Sequence, residues 1–212
     1  MNVIIRNENP SDYKIVENLI RECFWNLYFP GCNEHLSAHQ LRNSDDFLPN
    51  LTYVLEIDNQ IMGVIFYSKS SVINKDETKL DTITFGPVCI HPSLHRQGFG
   101  KMLITHSINK ARELGYNAIL TLGYPYHYRP YGFVGARKFN IAMEDGNFYK
   151  GLLALELYDG ALDDLSGFAV FSSALNVDES DLEKFDLQFP VKEKGYMPSQ
   201  TEFENTIGLL DE

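Results

Sequence analysis

The sequence is poor in cysteine and in long apolar runs. Its 212 residues include three cysteines, Cys23, Cys32 and Cys89, and so odd and sparse a set argues against a disulfide framework and favours a reducing cytoplasm. No apolar run approaches the roughly 20 residues that a membrane-spanning helix needs. The first residues, MNVIIRNE, lack the basic segment and apolar core of a secretory signal. We therefore expect a cytoplasmic protein that makes no contact with a membrane.

Positive charge is also scarce. The net charge of −11 argues against a nucleic-acid-binding protein, and the charge is unevenly distributed. Residues 159–212 contain 13 Asp and Glu and 3 Lys, which gives −10, whereas residues 1–158 contain 16 acids and 15 bases, which gives −1. The acidic segment has two interpretations: a solubilising surface, or an electric field that attracts a cationic amine.

The most informative stretch is residues 82–114, TITFGPVCIHPSLHRQGFGKMLITHSINKAREL. Residues 83–90 are rich in β-branched and aromatic side chains, which predicts a strand. A loop follows, and from Phe99 to Leu114 apolar residues recur at helical spacing. The first amides of a helix have no partner within the helix and carry partial positive charge, so a strand, a loop and a helix start in this order favour anion binding.

Two glycines make this loop suitable for phosphates. Gly98 and Gly100 allow a ligand to approach the backbone without meeting a side chain, and Arg96 and Lys101 add positive charge. A dinucleotide-binding fingerprint requires a third glycine where this chain has Leu103, and a P-loop requires a Gly-Lys-Ser/Thr sequence that is missing. The spacing therefore argues against ATP and NAD and leaves another pyrophosphate ligand.

The hexapeptide His95-Arg96-Gln97-Gly98-Phe99-Gly100, preceded by Val88-Cys89-Ile90, resembles the acetyl-CoA signature Gln/Arg-x-x-Gly-x-Gly/Ala of the GNAT superfamily of N-acetyltransferases. His95 stands where the family usually has Gln or Arg. The chain is most similar to bacterial predicted acetyltransferases. The resemblance implies an α/β (α+β) fold in which a mixed central sheet with splayed parallel strands is flanked by helices.

The resemblance covers residues 3–158, the expected N-acetyltransferase domain. Residues 159–212 then form an acidic C-terminal extension, which we expect to pack on the domain or on a partner subunit, in a possible homodimer. The implied cofactor is acetyl-CoA, and no metal site is expected. The resemblance implies cofactor binding by Val88, Cys89, Ile90, His95, Arg96, Gln97, Gly98, Phe99, Gly100 and Lys101.

Tyr128 is the candidate general acid. GNAT proteins often carry Tyr-x-x-x-Gly-Phe, with the tyrosine as the acid, and Tyr128, Gly132 and Phe133 match this pattern. A phenol with a pKa of about 10 stays protonated at neutral pH and so can donate a proton to a thiolate. In a segment so rich in tyrosine, packing beside the cleft is the alternative interpretation.

The general base is not assigned by the sequence. His127, Asp81, Glu56, His35 and a chain of water molecules all remain open. His35 and His39 stand four residues apart, as paired metal ligands can, although ordinary cleft or surface histidines are favoured. Cys89 is interpreted as a small buried side chain, with an acyl-cysteine nucleophile as the alternative.

The remaining pattern predicts secondary structure along the whole chain. We expect strands at 3–6, 51–57, 61–67, 116–122, 134–141 and 152–158, and helices at 13–28, 33–43 and 178–185. Residues 72–80 are polar and are expected to form a loop or a frayed strand edge.

The leading functional hypothesis is an enzyme that transfers an acetyl group from acetyl-CoA to a primary amine by direct attack in a ternary complex. The alternatives are a non-catalytic acyl-CoA-binding or sensor protein on the same fold and, third, a protein that binds ATP or NAD. The acceptor, a small-molecule or peptide amine, is not determined by the sequence.

Overall fold

A mixed β-sheet with helices on both faces organises the molecule, whose computed structural model describes residues 1–211. The strands are Val3–Asn7 (β1), Tyr53–Ile57 (β2), Gln60–Asn74 (β3), Lys79–Ile90 (β4), Ala118–Leu122 (β5), Val134–Gly135 (β6), Ile141–Ala142 (β7), Leu152–Glu156 (β8) and Gly167–Phe171 (β9). The α-helices are Tyr13–Phe24 (α1), Glu34–Arg42 (α2), Phe99–Glu113 (α3), Pro125–Tyr128 (α4), Glu179–Asp186 (α5) and Pro198–Ile207 (α6).

Along the main path of the sheet, one pair of neighbouring strands is parallel and the others are antiparallel. Strands β1, β2, β3 and β4 are antiparallel neighbours, β4 and β5 run parallel, and β8 and β6 continue antiparallel from β5. The parallel pair is connected through α3, as the strand–helix–strand pattern predicted. The α/β fold with a mixed sheet between helices is therefore confirmed.

The side chains of β3 alternate between the two faces of the sheet, and each face packs against different helices. Ile65 and Tyr67 point into the core beneath α3, which contributes Leu103. Val64 and Phe66 point to the opposite face and pack against α1 and α2. Because successive side chains of a strand alternate between faces, the uninterrupted apolar run of β3 contributes to both cores.

Two segments differ from the expected secondary structure. Residues 72–80 are strand rather than loop, since Val72 pairs with Leu80 in a hairpin that turns between Asn74 and Lys79. Segment 134–141 is not one strand but the short β6 and the start of β7, separated by a 3-10 turn. Residues 72–80 show no regular alternation of apolar and polar side chains that would predict a strand. The pairing of β3 with β9 depends on a distant part of the chain.

The acidic segment after residue 158 contributes to the same sheet. Strand β9 pairs with β3 from Ser70 opposite Phe171 to Asn74 opposite Gly167. The short acidic helix is present as α5, whereas α6 was not predicted. Within residues 1–211, no helix has both the length and the apolar character needed to cross a membrane.

Candidate active site

A bulge in β4 opens the sheet. Tyr67 lies opposite Phe85 and Ile65 lies opposite Val88, so Gly86 and Pro87 together face a single residue of β3. The parallel pairs between β4 and β5 join residues 83 with 119 and 84 with 120, before the bulge. An extra residue bends the strand that carries it. Beyond the bulge the two parallel strands therefore diverge, and a gap lies beside residues 88–90.

The edge of residues 88–90 that faces this gap carries backbone amide and carbonyl groups. Cys89 pairs with Val64 of β3 on the other edge, and neighbouring strand residues direct their amides and carbonyls to alternate edges. The Cys89 side chain itself is buried with Phe66, and contact with Cys23, together with burial, raises the pKa of its thiol. A thiol that stays protonated at neutral pH is a weak nucleophile, which disfavours the acyl-cysteine alternative.

The loop between β4 and α3 is held by His95. Its Nε2 lies 2.9 Å from the carbonyl oxygen of Ile90 and ties the loop to the end of the strand. Arg96 and Gln97 are exposed, and Gln97 donates to the Ser93 carbonyl at 3.2 Å. The side chain of Phe99 is buried in the core, so this residue can offer the loop only its backbone.

The two loop glycines border open space. Gly98 precedes α3 in the left-handed conformation (φ 89°), and a Cβ at this position meets no atom within 4 Å. A Cβ at Gly100 comes no closer than 3.7 Å to any neighbour, Cγ1 of Ile90. The packing of the protein therefore does not require a glycine at position 100, and the free space lies over the unpaired amides of the first helical turn.

A cleft also lies along α3. It has a volume of about 200 Å³, lies between α3 and the turn at residues 129–131, and is lined in part by Lys101, Asn109, Arg112 and Tyr131. Two cationic side chains beside an aromatic ring suit a phosphorylated nucleoside.

Tyr128 lies where β4 and β5 separate. Its ring centroid is 5.3 Å from that of Phe85, the last paired residue before the bulge, and 5.8 Å from that of Phe133. A Cβ at Gly123 would lie 2.5 Å from Cε2 of Tyr128, so the close approach of this ring requires glycine at 123. Burial raises the pKa of Tyr128 to about 12, and the phenol stays protonated at physiological pH.

Glu34 is a site residue that the sequence analysis missed. It is the first residue of α2, and its Oε2 accepts the amide of Asn33 at 3.0 Å. Burial raises the pKa of the carboxyl to about 7, although its hydrogen bonds with the amides at the helix start lower it. In the sequence an acid at a helix start is typical of a stabilising charge next to the helix dipole, and nothing local distinguishes Glu34 from such a residue.

Tyr28 follows α1 in the chain. Burial raises the pKa of the Tyr28 hydroxyl most, and the charges of Tyr128 and Glu34 raise it further. Glu34 also contributes to the raised pKa of Cys89. Glu34 therefore acts electrostatically on Tyr28 and on Cys89 of β4.

Of the base candidates from the sequence, Glu56 and Asp81 are paired with cations, whereas His127 lies beside Tyr128. Glu56 pairs with Arg6. Asp81 pairs with Lys79 at 2.8 Å and lines a separate 660 Å³ cavity at the opposite end of β4. His127 lies close to Tyr128, at a ring distance of 6.3 Å, and burial lowers its pKa.

The two histidines of α2 have different partners. Nε2 of His35 lies 3.0 Å from Asp186, and Nδ1 of His39 lies 3.0 Å from Glu17. The ring of His35 is completely buried. The structure therefore does not bring these histidines together around one ligand.

Comparison with known proteins identifies similar N-acetyltransferases. Residues 17–133 match the model of the acetyltransferase (GNAT) family. The uncharacterized N-acetyltransferase YhbS of Escherichia coli K12 is 25% identical over 174 residues, which are 82% of this chain and 99% of that protein.

Two crystal structures share the fold. The E. coli GNAT family N-acetyltransferase YhbS in complex with CoA has a TM-score of 0.73 at 23% identity, over 84% of this chain and 93% of that chain. A GNAT family acetyltransferase of Brucella melitensis in complex with acetyl-CoA has a TM-score of 0.67 at 20% identity, over 82% of this chain and 99% of that chain.

Proposed function

This chain belongs to the GNAT family of acetyltransferases, and on that premise we propose that it transfers an acetyl group from acetyl-CoA to a primary amine. The observation that carries the proposal is the gap beside residues 88–90, which has the glycine loop after one end and Tyr128 at the other, where β4 and β5 separate. We place the phosphates of the cofactor at the glycine loop and assign proton transfer to Tyr128 and Glu34.

The cofactor site uses mainly the backbone. The amides at the start of α3 bind the pyrophosphate, and the exposed side chains of Arg96 and Lys101 add positive charge. The open edge of β4 pairs with the amide groups of the pantetheine arm in the way that a neighbouring strand would. These residues fit the cofactor because no protein atom lies within 4 Å of a Cβ at Gly98 or closer than 3.7 Å to one at Gly100.

The two ionisable groups move protons in opposite directions. Acetyl-CoA supplies the acetyl group as a thioester when it is bound. Glu34, with a pKa of about 7, accepts a proton from the ammonium form of the acceptor and leaves the nitrogen lone pair free to attack. Tyr128 donates its phenolic proton to the departing sulfur.

The balance of the reaction is simple. One carbon–nitrogen bond forms and one carbon–sulfur bond breaks. The ammonium nitrogen loses two protons: the equivalent of one ends on the CoA sulfur through Tyr128, which is then reprotonated, and the other leaves through Glu34 to solvent. The products are an acetylated amine, free CoA thiol and one proton. Direct attack in a ternary complex needs no covalent enzyme intermediate, which agrees with the buried and protonated thiol of Cys89.

The test is a thiol-release assay with a panel of primary amines, combined with mass spectrometry of the products and calorimetry with CoA. We expect CoA binding and amine-dependent thiol release, with a mass increase of one acetyl group on the amine. Absence of CoA binding would refute the proposal. Tight CoA binding without thiol release for any amine would support the non-catalytic acyl-CoA-binding alternative instead, and a thermal-shift comparison of CoA, ATP and NAD tests the nucleotide alternative.

A further inference from the structure

We infer that α6 forms the outer wall of the acceptor site and that Glu202 binds a second positive charge of the acceptor, which makes the substrate class diamines and longer polyamines. The inference rests on the proposed function, because it requires that the acceptor amine reacts beside Glu34 and Tyr128. It assigns a binding role to one residue of the acidic C-terminal segment, for which the sequence left open a solubilising surface or an electric field that attracts a cationic amine.

The first step is the position of α6 next to Tyr28. The ring of Phe203 stacks on the ring of Tyr28, with centroids 4.5 Å apart and an interplanar angle of 30°. Ser199 Oγ donates to the Leu27 carbonyl at 2.8 Å, and the buried Gln200 donates to the Asn26 carbonyl at 2.9 Å. Phe203 adjoins Glu202 in α6, and Glu202 accepts a hydrogen bond from Tyr126, two residues before Tyr128. Helix α6 therefore reaches from Tyr28 to the chain segment that carries Tyr128.

The second step is the position of Glu202 over the tyrosine segment. Tyr126 Oη donates to Oε1 of Glu202 at 3.1 Å, and the rings of Tyr124 and Tyr126 stack with centroids 5.3 Å apart. Burial is the main cause of the raised pKa of Tyr124, and the charge of Glu202 is the second. Burial lowers the pKa of His127, and Glu202 opposes this shift. Glu202 therefore faces the chain segment that leads to Tyr128.

The third step is that both ends of α6 are attached to the domain. Beyond the helix, the Leu209 carbonyl accepts the amide of Lys150 at 2.9 Å, and the Asp211 amide donates to the Phe148 carbonyl at 2.7 Å. The segment thus crosses from the end of α1 to the start of β8. A wall attached at both ends can hold a carboxylate at a set distance from the reaction centre.

The chemistry of this space favours cations at two points. Glu202 lies against the stacked rings of Tyr124 and Tyr126 and next to Phe203, which stacks on Tyr28. The proposed function places the reacting amine at the other carboxylate, Glu34. Carboxylates and aromatic faces both attract ammonium groups. An acceptor with an amine at each end places one nitrogen at Glu34 for reaction while the other is held at Glu202.

The test compares putrescine with 4-amino-1-butanol and cadaverine with 5-amino-1-pentanol. Each amino alcohol matches its diamine in length but carries one charge. We expect kcat/KM for each diamine to exceed that of its monoamine by at least about tenfold. Glu202→Gln should lower this ratio about tenfold. Glu204→Gln removes the same charge from a neighbouring exposed position of α6, and it should leave the ratio unchanged.

Equal use of diamines and monoamines, or equal ratios in the two variants, would overturn this inference while leaving the proposed function intact. If no amine is acetylated although CoA binds, the proposed function fails. In that case calorimetry of putrescine with the CoA-loaded protein still tests the site: weaker binding to Glu202→Gln than to Glu204→Gln supports the inference, and equal binding overturns it.

Discussion

The carboxylate of Asp186 lies 3.0 Å from Nε2 of His35, although 151 positions separate the two residues. The same oxygen accepts from Nε of Arg21 at 3.0 Å, and Nδ1 of His35 lies 3.5 Å from the sulfur of Cys32. Cysteine, histidine and aspartate thus have the connectivity of a nucleophilic triad. However, the His35 ring is completely buried, and burial raises the pKa of the Cys32 thiol. We conclude that these residues hold α5 against α1 and α2.

We predict that Asp186→Ala destabilises the protein by about 3 kcal/mol, because it leaves the buried guanidinium of Arg21 without its carboxylate. The free energy of unfolding is measured by urea denaturation. Asp181→Asn is the matched control in the same helix, since its pair with Lys184 is exposed and should contribute less than about 1 kcal/mol. Equal losses in both variants would contradict this account.

Tyr128→Phe should lower kcat about 100-fold and leave the Kd for CoA unchanged. The variant removes the proton donor but keeps the ring that packs on Phe85 and Phe133. Thiol release and calorimetry with CoA measure the two quantities. Tyr131→Phe, in the same segment, is the control and should retain activity. A Tyr128→Phe enzyme with wild-type turnover would leave this tyrosine only a packing role.

Gly100→Ala should fold normally and bind CoA at least about tenfold more weakly. The added methyl group lies at an ordinary contact distance of 3.7 Å from Ile90, so the protein tolerates it. It occupies the space through which phosphates must approach the amides of α3. Thermal unfolding and calorimetry separate the two effects. Gly208→Ala, which meets no atom within 4 Å at the end of α6, is the control, and unchanged CoA affinity of Gly100→Ala would argue against the loop as the phosphate site.

Glu34→Gln should remove the pH dependence assigned to the base. In the wild type, kcat/KM should rise with pH and level off above about 7, since the carboxylate form is the base. In the variant, kcat/KM should be lower and should no longer rise with pH below about 7. Pre-steady-state or steady-state pH profiles provide the measurement. An unchanged rise with pH would assign the base to another group.

The same substitution has a consequence for stability. The pKa of Glu34 in the folded protein, about 7, is raised above its ordinary value of 4.5. Ionisation of this group therefore costs folding free energy, and wild-type stability attributable to Glu34 is lost as pH rises from about 4.5 to about 7. The Tm of Glu34→Gln minus that of the wild type should increase between pH 4 and pH 8. A difference that is constant with pH would show that burial does not raise this pKa.

Much of the fold is predictable because its signals are local. The helical spacing from Phe99, the β-rich segments around β3 and β4, and the glycines before α3 each specify structure within a few residues. The segment 134–141 shows the limit of this approach. Its apolar residues suggest a strand, but Asn140 adopts a positive φ of 53°, and the segment bends into a turn between two sheet neighbours.

The sequence by itself determined the family resemblance, the anion-binding loop and the tyrosine motif, since each is a short pattern of neighbouring residues. Only the tertiary structure decided that burial raises the pKa of Glu34, that β9 pairs with the edge of β3, and that α6 lies over Tyr28. These relationships join residues as much as 175 positions apart. Burial and electrostatic contact between such residues depend on how the chain packs, and no local periodicity records that packing.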